Sequence, residues 1–173
     1  MIRYVVDANV LIDFEHLFPF DVFPSLWEQL RLMTKARRFV CPRPIFDELR
    51  RDGDTGYTRR LETAGFVHIR EVDTPMLEQA ARVVQRCPTL VNSNNRAKSE
   101  NDPFLIALAS VEMEAANKQL AIDASLNDEW VVLSNERPRA GPGGRMRVPD
   151  ACAEFGVRCV NRDALYQLEG WRF

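Results

Sequence analysis

Residues 2–13 read IRYVVDANVLID, a short apolar, β-branched run followed by an aspartate and then by a helical pattern. The run at 2–6 has the composition of a strand buried on both faces, a type common in parallel sheets. Asp7 directly follows this run. In open parallel sheets, sites form beyond the carboxyl ends of the strands, so Asp7 is expected to face such a cleft. The alternative is that Asp7 only caps the helix that follows it.

Strands and helices alternate along the rest of the chain, with polar loops predicted at 92–101 and 136–146. Further strands are predicted at 39–40, 66–69, 130–133 and 157–160. Helices are predicted at 10–16, from Ser25 to Met33, from Pro44 to Leu49, and at 57–64, 74–86, 102–117 and 163–168. This alternation predicts an α/β fold with three α/β/α layers around a largely parallel central sheet. No repeat or composition break marks a second domain, so residues 1–173 are expected to form one domain.

Composition excludes several classes of protein. A hydrophobic content of 46% with 28% charged residues is that of a globular chain, not a disordered one. The apolar runs are far shorter than the roughly 20 residues that cross a bilayer, and the start lacks the pattern of a signal peptide, so a cytoplasmic protein without membrane contact is expected. The four cysteines are scattered and there are two histidines, which favours reduced structural thiols over a zinc site. A net charge of −2 provides no overall attraction to nucleic acid.

Two further acidic residues occupy helical positions where they can reach the same cleft. Glu48 lies at the edge of the helix face that carries the apolar residues, whereas Asp47 points away from that face. The alternative for Glu48 is a surface position paired with Arg51. Asp102 precedes Pro103 and the most apolar helix of the chain, so it is either an N-cap, a cleft carboxylate, or both.

A fourth group of polar residues follows the predicted strand at 130–133. Ser134, Asn135 and Glu136 place a hydroxyl, an amide and a carboxylate at a second strand end, although they also suit the start of an ordinary loop. Carboxylates gathered in one place repel each other, and such clusters persist when a hard divalent cation neutralises them. Oxygen ligands suit Mg²⁺ or Mn²⁺, which can activate water against a phosphodiester and neutralise the leaving oxygen.

These segments resemble the PIN-domain family, and the tail from Val148 to Val160 resembles a bacterial PIN-like branch of it. The resemblance rests on four stretches in the family's order, VVDAN at 5–9, PIFDEL at 44–49, NDPFLIALA at 101–109 and VVLSNE at 131–136. It implies a Mg²⁺- or Mn²⁺-dependent ribonuclease, often the toxin of a toxin–antitoxin pair. It also implies catalytic metal ligands at Asp7, Glu48, Asp102 and Glu136, with Asn9 and Ser134 in support. Many relatives carry aspartate where this chain has Glu136.

Basic residues near these acids are candidates for contact with RNA. Arginine side chains grip phosphates well, and six basic residues flank the acidic motifs: Arg96, Lys98, Arg137, Arg139, Arg145 and Arg147. The alternative is a solvated, charged loop. A cognate antitoxin and a homodimer are the protein partners that the resemblance suggests. The other functions considered are a structure-specific DNA nuclease and a catalytically silent PIN-like module that binds RNA or protein. An aspartyl phosphatase is disfavoured because Asn9 stands where its second aspartate would be. A dinucleotide-binding enzyme is disfavoured because no G-x-G-x-x-G follows the first strand.

Overall fold

The computed structural model describes residues 1–51, 55–91, 99–121, 128–139, 141 and 144–172. Within them, five strands and eight helices alternate along the chain. In order they are β1 (Ile2–Val6), α1 (Ala8–Leu17), α2 (Pro24–Lys35), β2 (Phe39–Pro42), α3 (Arg43–Arg51), α4 (Thr55–Thr63), β3 (His68–Arg70), α5 (Thr74–Arg86), α6 (Asp102–Leu120), β4 (Glu129–Leu133), α7 (Val148–Glu154), β5 (Arg158–Val160) and α8 (Arg162–Glu169). The predicted α/β class is confirmed.

The five described strands form one sheet in the order β3-β2-β1-β4-β5, and every neighbouring pair is parallel. The chain builds outward from β1 to β2 and β3, and then crosses to the other side of β1 to add β4 and β5. The strand order therefore reverses its direction between β1 and β4, which makes this the topological switch point of the sheet. In sheets of this kind the crevice beyond the carboxyl ends of the two strands at the reversal is the usual place for a binding site.

Helices cover both faces of this sheet. Tyr4 is paired across the sheet with Phe39 and Val131, so these side chains share one face. Helices α1, α2 and α8 lie on that face, where Phe14 contacts the rings of Phe39 and Tyr166 and where the hydroxyl of Tyr4 donates to Glu169 on α8. On the other face α6 packs against β1, β2 and β4, and both α5 and α7 pack against α6. The arrangement is the predicted three-layer α/β/α fold.

Burial explains why these segments take their conformations. The side chains of Tyr4, Val5 and Val6 are fully buried, as expected for a central strand covered on both faces. In α6 nearly every residue from Leu105 to Ala109 is also fully buried, which makes it the most enclosed helix of the core. Pro24, Pro75 and Pro103 lie in the first turns of α2, α5 and α6, where a missing backbone N–H costs no helical hydrogen bond.

The structure differs from the sequence prediction in a few places. Gly56 lies inside α4 rather than between two helices, whereas Gly53 lies outside the described residues. Helix α6 continues to Leu120, beyond the predicted end at 117. Helix α7 was not predicted; it is short, and its start is stabilised because the backbone N–H of Arg147 donates to Asp150. None of the described helices combines the length and the apolar character that crossing a membrane requires.

Candidate active site

Asp7 and Ser134 lie side by side at the carboxyl edge of the sheet. The two residues follow β1 and β4, which are paired so that Val6 lies opposite Leu133. The hydroxyl of Ser134 donates to Oδ2 of Asp7 at 2.7 Å, and Nδ2 of Asn9 donates to the same oxygen at 2.6 Å. Asn9 Nδ2 is also 3.2 Å from the Ser134 oxygen. The structure therefore brings together Asp7, Asn9 and Ser134.

The side chain of Asp7 makes no capping hydrogen bond, although the residue occupies the N-cap position of α1. Its carboxylate is instead held by Ser134 and Asn9. Only 6% of the residue is exposed, which is unusual for an aspartate. The carboxylate of Asp7 is therefore held mainly by side chains, although the backbone N–H groups of Ala8 and Asn9 in the first turn of α1 also lower its pKa.

Glu48 is linked to the start of α6. Nδ2 of Asn101 donates to Oε1 of Glu48 at 2.8 Å and also lies 3.2 Å from the carbonyl oxygen of Pro44. Arg51, considered as the partner of Glu48, forms an ion pair with Glu100 at 3.2 Å. Asn101 thus ties α3 to the first turn of α6. Sequence reasoning missed this role because it depends on a contact between distant segments.

Asp102 is the first residue of α6 and not its N-cap, which is a correction to one of its two predicted roles. The cap position belongs to Asn101. Asp102 is 7% exposed, and its Oδ2 lies 3.4 Å from Nη2 of Arg145. A carboxylate in the first turn of a helix still benefits from the helix dipole. Its burial beside a single arginine is nevertheless a costly environment for a negative charge.

Glu136 is anchored by the backbone and by an arginine. The N–H of Val148 donates to Oε2 of Glu136 at 2.9 Å, and Nη1 of Arg147 lies 3.5 Å from Oε1. The N–H of Glu136 in turn donates to the hydroxyl of Ser134 at 3.2 Å. This last contact couples the position of Glu136 to the Asp7–Ser134 pair.

The four acidic residues influence one another electrostatically. Burial, reinforced by the negative charges of Asp7, Glu136 and Glu48, raises the pKa of Asp102 to about 9. Arg145 opposes this shift, but its contact is long and burial outweighs it. Burial also raises the pKa of Asp7 to about 6, with Glu136 adding to the shift and the Ser134 hydrogen bond reducing it. We define these four acids, Asp7, Glu48, Asp102 and Glu136, as the acidic cluster.

The acidic cluster is not a preformed cage of metal ligands. Among the described residues, no three histidine, cysteine, aspartate or glutamate side chains are close enough together to hold an ion as they stand. Asp102 and Glu136 are instead each in contact with an arginine. The donor chemistry nevertheless fits a hard cation, because the side chains that face one another here offer carboxylate and hydroxyl oxygens.

The predicted RNA-binding residues fall into three groups. Arg145 and Arg147 contact the acidic cluster itself. Arg137 and Arg139 are exposed in the segment that follows Glu136. Arg96 and Lys98 lie outside the described residues.

A second polar network, which the sequence reasoning missed, supports the loop after β4. Oδ1 of Asn9 accepts from the N–H of Asn135 at 3.1 Å, and Nδ2 of Asn135 donates to Asp13 at 2.6 Å. Arg162 completes the network, because its N–H donates to Asn135 at 3.0 Å and its guanidinium lies 3.4 Å from Asp13. The network joins α1, the loop and α8, and so holds the backbone that positions Ser134 and Glu136.

A cavity of about 240 Å³ lies away from the acidic cluster, near the amino-terminal ends of β1 and β4. Arg3 and Trp130, which are paired in the sheet, line it together with Asp128 and Arg70. Arg3 forms an ion pair with Asp128 at 2.8 Å, and Arg70 forms one with Asp73 at 2.5 Å. These charges are therefore neutralised within the chain, and the cavity is not where the acids meet.

Comparisons with curated proteins and with solved structures return no match for this chain. A family model described as a domain of unknown function, DUF4411, matches residues 4–173. That match covers nearly the whole chain, and the chain therefore belongs to the DUF4411 family.

Proposed function

We propose that this chain is a PIN-like endoribonuclease that depends on Mg²⁺ or Mn²⁺ and hydrolyses phosphodiester bonds of RNA. The observation that carries the proposal is the environment of Asp102. This buried carboxyl lies close enough to Asp7, Glu136 and Glu48 for their charges, together with burial, to raise its pKa to about 9. Buried carboxyls whose pKa is strongly raised by neighbouring acids are typical of functional sites. Asp7 and Ser134 also follow β1 and β4, the two strands at which the strand order of the sheet reverses.

The acidic cluster is costly for the protein unless a cation binds there. Each of its members comes from a different part of the fold, namely the end of β1, helix α3, the start of α6 and the loop after β4. Like charges in a buried place destabilise the folded state. A hard divalent cation held by Asp7, Glu48, Asp102 and Glu136 would remove that cost, and the oxygen donors suit Mg²⁺ or Mn²⁺ better than zinc.

Such an ion supplies Lewis acidity, which lowers the pKa of water and offsets the charge that develops on a phosphodiester. The chain's own residues supply orientation. Ser134 and Asn9 both donate to Oδ2 of Asp7 and thereby fix the direction of its carboxylate. Hydrogen-bonded neighbours of this kind hold a metal ligand in its productive orientation. Asn101 does the same for Glu48.

A nucleic acid is the proposed substrate because arginines lie near the acids, and RNA is chosen over DNA on the resemblance to PIN domains. Arg137 and Arg139 are exposed beside Glu136, and Arg145 and Arg147 lie against the cluster. Arginine binds phosphate oxygens with two donors at once, which suits a nucleic acid backbone. We further propose a cytoplasmic role as the toxin of a toxin–antitoxin pair, with Arg96 and Lys98 as additional RNA contacts and a homodimer as one assembly.

A catalytically silent RNA- or protein-binding module is the second candidate, and one observation favours it. Two acids of the cluster already have an arginine as partner, which offsets their charge without an ion. This candidate predicts that Mn²⁺ does not bind. A structure-specific DNA nuclease would use the same carboxylates and differs only in its substrate.

The test is cleavage of labelled single-stranded RNA, and separately of branched and single-stranded DNA, by the purified chain with Mn²⁺, with Mg²⁺ and with a chelator. We expect metal-dependent cleavage of RNA that Asp7→Asn and Glu48→Gln each reduce by about 100-fold or more, since ligand losses of this kind cost several kcal/mol. Asp47→Asn is the matched control, because Asp47 neighbours Glu48 on α3 but lies about 4 Å from Arg43 and Arg50 instead. Circular dichroism must show that the variants are folded. Equal cleavage by the wild type and Asp7→Asn would refute the proposed site.

A further inference from the structure

Arg145 is fixed beside Asp102 by a carbonyl group in the turn that follows α5. Its Nε and Nη2 atoms donate to the carbonyl oxygen of Leu90 at 3.2 and 3.0 Å, and Nη2 also faces Oδ2 of Asp102. The side chain is 28% exposed, so one part of the guanidinium remains open to solvent. Because two of its nitrogen atoms donate to the Leu90 carbonyl, the guanidinium of Arg145 is held in one orientation.

Arg147 is held differently and is more exposed. Its guanidinium lies 3.5 Å from Oε1 of Glu136, and 47% of its side chain is exposed. The second oxygen of Glu136 is taken by the N–H of Val148. Glu136 therefore offers one oxygen to a cation, and that oxygen now faces Arg147.

Asp150 closes the loop that carries both arginines. Its Oδ2 accepts from the N–H of Arg139 at 3.1 Å and from the N–H of Arg147 at 2.8 Å. The two ends of this loop are thus tied to the first turn of α7. Arg145 and Arg147 are thereby placed against the acidic cluster by backbone contacts that do not involve the acids.

We infer that Arg145 and Arg147 compete with a divalent cation for the carboxylates of Asp102 and Glu136. Once the ion is bound, the two arginines contact the phosphate of the substrate instead. The inference rests on the proposed function. Its physical basis is that an arginine and a divalent cation both need the carboxylate oxygens Oδ2 of Asp102 and Oε1 of Glu136. When the ion binds these oxygens, the guanidinium groups of Arg145 and Arg147 lose their acidic partners but remain beside the site. A phosphodiester then offers two non-bridging oxygens, which a guanidinium group can bind with two parallel hydrogen bonds.

The inference predicts opposite effects on two affinities. Replacing Arg145 by glutamine removes a positive charge from beside Asp102, so Mn²⁺ is repelled less and binds more tightly, by about tenfold. The same change removes a phosphate contact, so RNA binds more weakly. A residue with a purely structural role would weaken both. Arg147→Gln is expected to change both affinities in the same directions but by a smaller factor, because its pair is more exposed.

The experiment measures Mn²⁺ affinity from the signal of the free ion in electron paramagnetic resonance at pH 8.5. Binding of a short RNA is measured separately in Ca²⁺ by fluorescence anisotropy. The variants are Arg145→Gln, Arg145→Lys and Arg147→Gln. Arg86→Gln is the control, since Arg86 is an arginine with a side chain 61% exposed that pairs with Glu154 on α7 and contacts none of the four acids. Arg145→Lys keeps the charge but loses the two-donor grip on the Leu90 carbonyl, and its Mn²⁺ affinity should lie nearer the wild type.

Tighter Mn²⁺ binding with weaker RNA binding in Arg145→Gln and, to a lesser degree, in Arg147→Gln supports the inference. If the wild type binds Mn²⁺ and cleaves RNA but neither variant binds Mn²⁺ more tightly, the inference is overturned and the proposed function stands. An equal effect in Arg86→Gln also overturns it, because the cause would then be the net charge of the protein. If neither the wild type nor any variant binds Mn²⁺, both the inference and the proposed function fail. Arg147 is exposed, so its variant provides the result even if Arg145→Gln does not fold.

Discussion

The replacement Asp102→Asn should stabilise this protein, and the gain should grow with pH. Burial and three neighbouring acids raise the pKa of Asp102 from 3.8 to about 9. The folded chain therefore keeps this carboxyl protonated at pH 7, whereas in the unfolded chain it has lost its proton. A group whose pKa is raised on folding contributes stability at low pH that is lost as the pH rises. For Asp102 the loss runs from about pH 4 to about pH 9.

The size of the effect follows from the shift. Each pKa unit corresponds to about 1.4 kcal/mol, and at pH 7 roughly three units separate the pH from the ordinary aspartate value. The wild type should therefore lose about 4 kcal/mol of unfolding free energy from this residue between pH 4 and pH 7. Asparagine has nearly the shape of the protonated acid and carries no proton to lose. Its advantage over aspartate should thus increase by about 1.4 kcal/mol for each pH unit between 5 and 8.

Urea unfolding followed by circular dichroism at several pH values, in the presence of a chelator, measures this slope. Asp163→Asn is the control, because the side chain of Asp163 is 71% exposed and its replacement should leave the pH dependence of the wild type unchanged. The reasoning is refuted if the difference between Asp102→Asn and the wild type does not change with pH. It is equally refuted if Asp102→Asn is less stable at every pH.

Three further predictions follow from individual contacts at the site. Ser134→Ala removes the 2.7 Å hydrogen bond that lowers the pKa of Asp7, so the acid limb of the pH–rate profile should move to higher pH, and an unmoved limb would count against the role of Ser134. Asn101→Ala removes the 2.8 Å donor to Glu48 and should lower the free energy of unfolding by about 1–2 kcal/mol in urea titrations, a loss that a near-zero change would contradict. Mn²⁺ at about 100 times its dissociation constant should stabilise the wild type by about 2.7 kcal/mol in thermal unfolding, and equal stabilisation of Asp7→Asn would place the ion elsewhere.

The parts of the fold that could be predicted are those with strong local patterns. β1 (Ile2–Val6) and α5 (Thr74–Arg86) begin and end where the sequence indicates, because a continuous buried run defines one and a proline-containing start defines the other. β3 (His68–Arg70) lies later than predicted, since it is a half-buried edge strand whose pattern is weak. α7 escaped prediction because its seven residues depend on the Asp150 contact and on packing against α6 and β5.

The candidate site could be predicted only in part. That Asp7 and Ser134 are neighbours follows from two strands that end at the same edge of a parallel sheet. The contact of Arg145 with Asp102 does not follow, because it requires the loop closed by Asp150 and the carbonyl of Leu90. Such contacts join residues far apart in the chain, and no local periodicity encodes them. For the same reason the link between Asn101 and Glu48 became apparent only from the structure.

The central claim is that the acidic cluster is one site for a divalent cation. Calorimetric titration with Mn²⁺ at pH 7, repeated in buffers of different ionisation enthalpy, counts the protons that leave the protein when the ion binds. Because the pKa of Asp102 is about 9 and that of Asp7 is about 6, binding should release about one proton, most of it from Asp102. In Asp102→Asn the release should fall close to zero. Binding without proton release, or no binding, would contradict the claim.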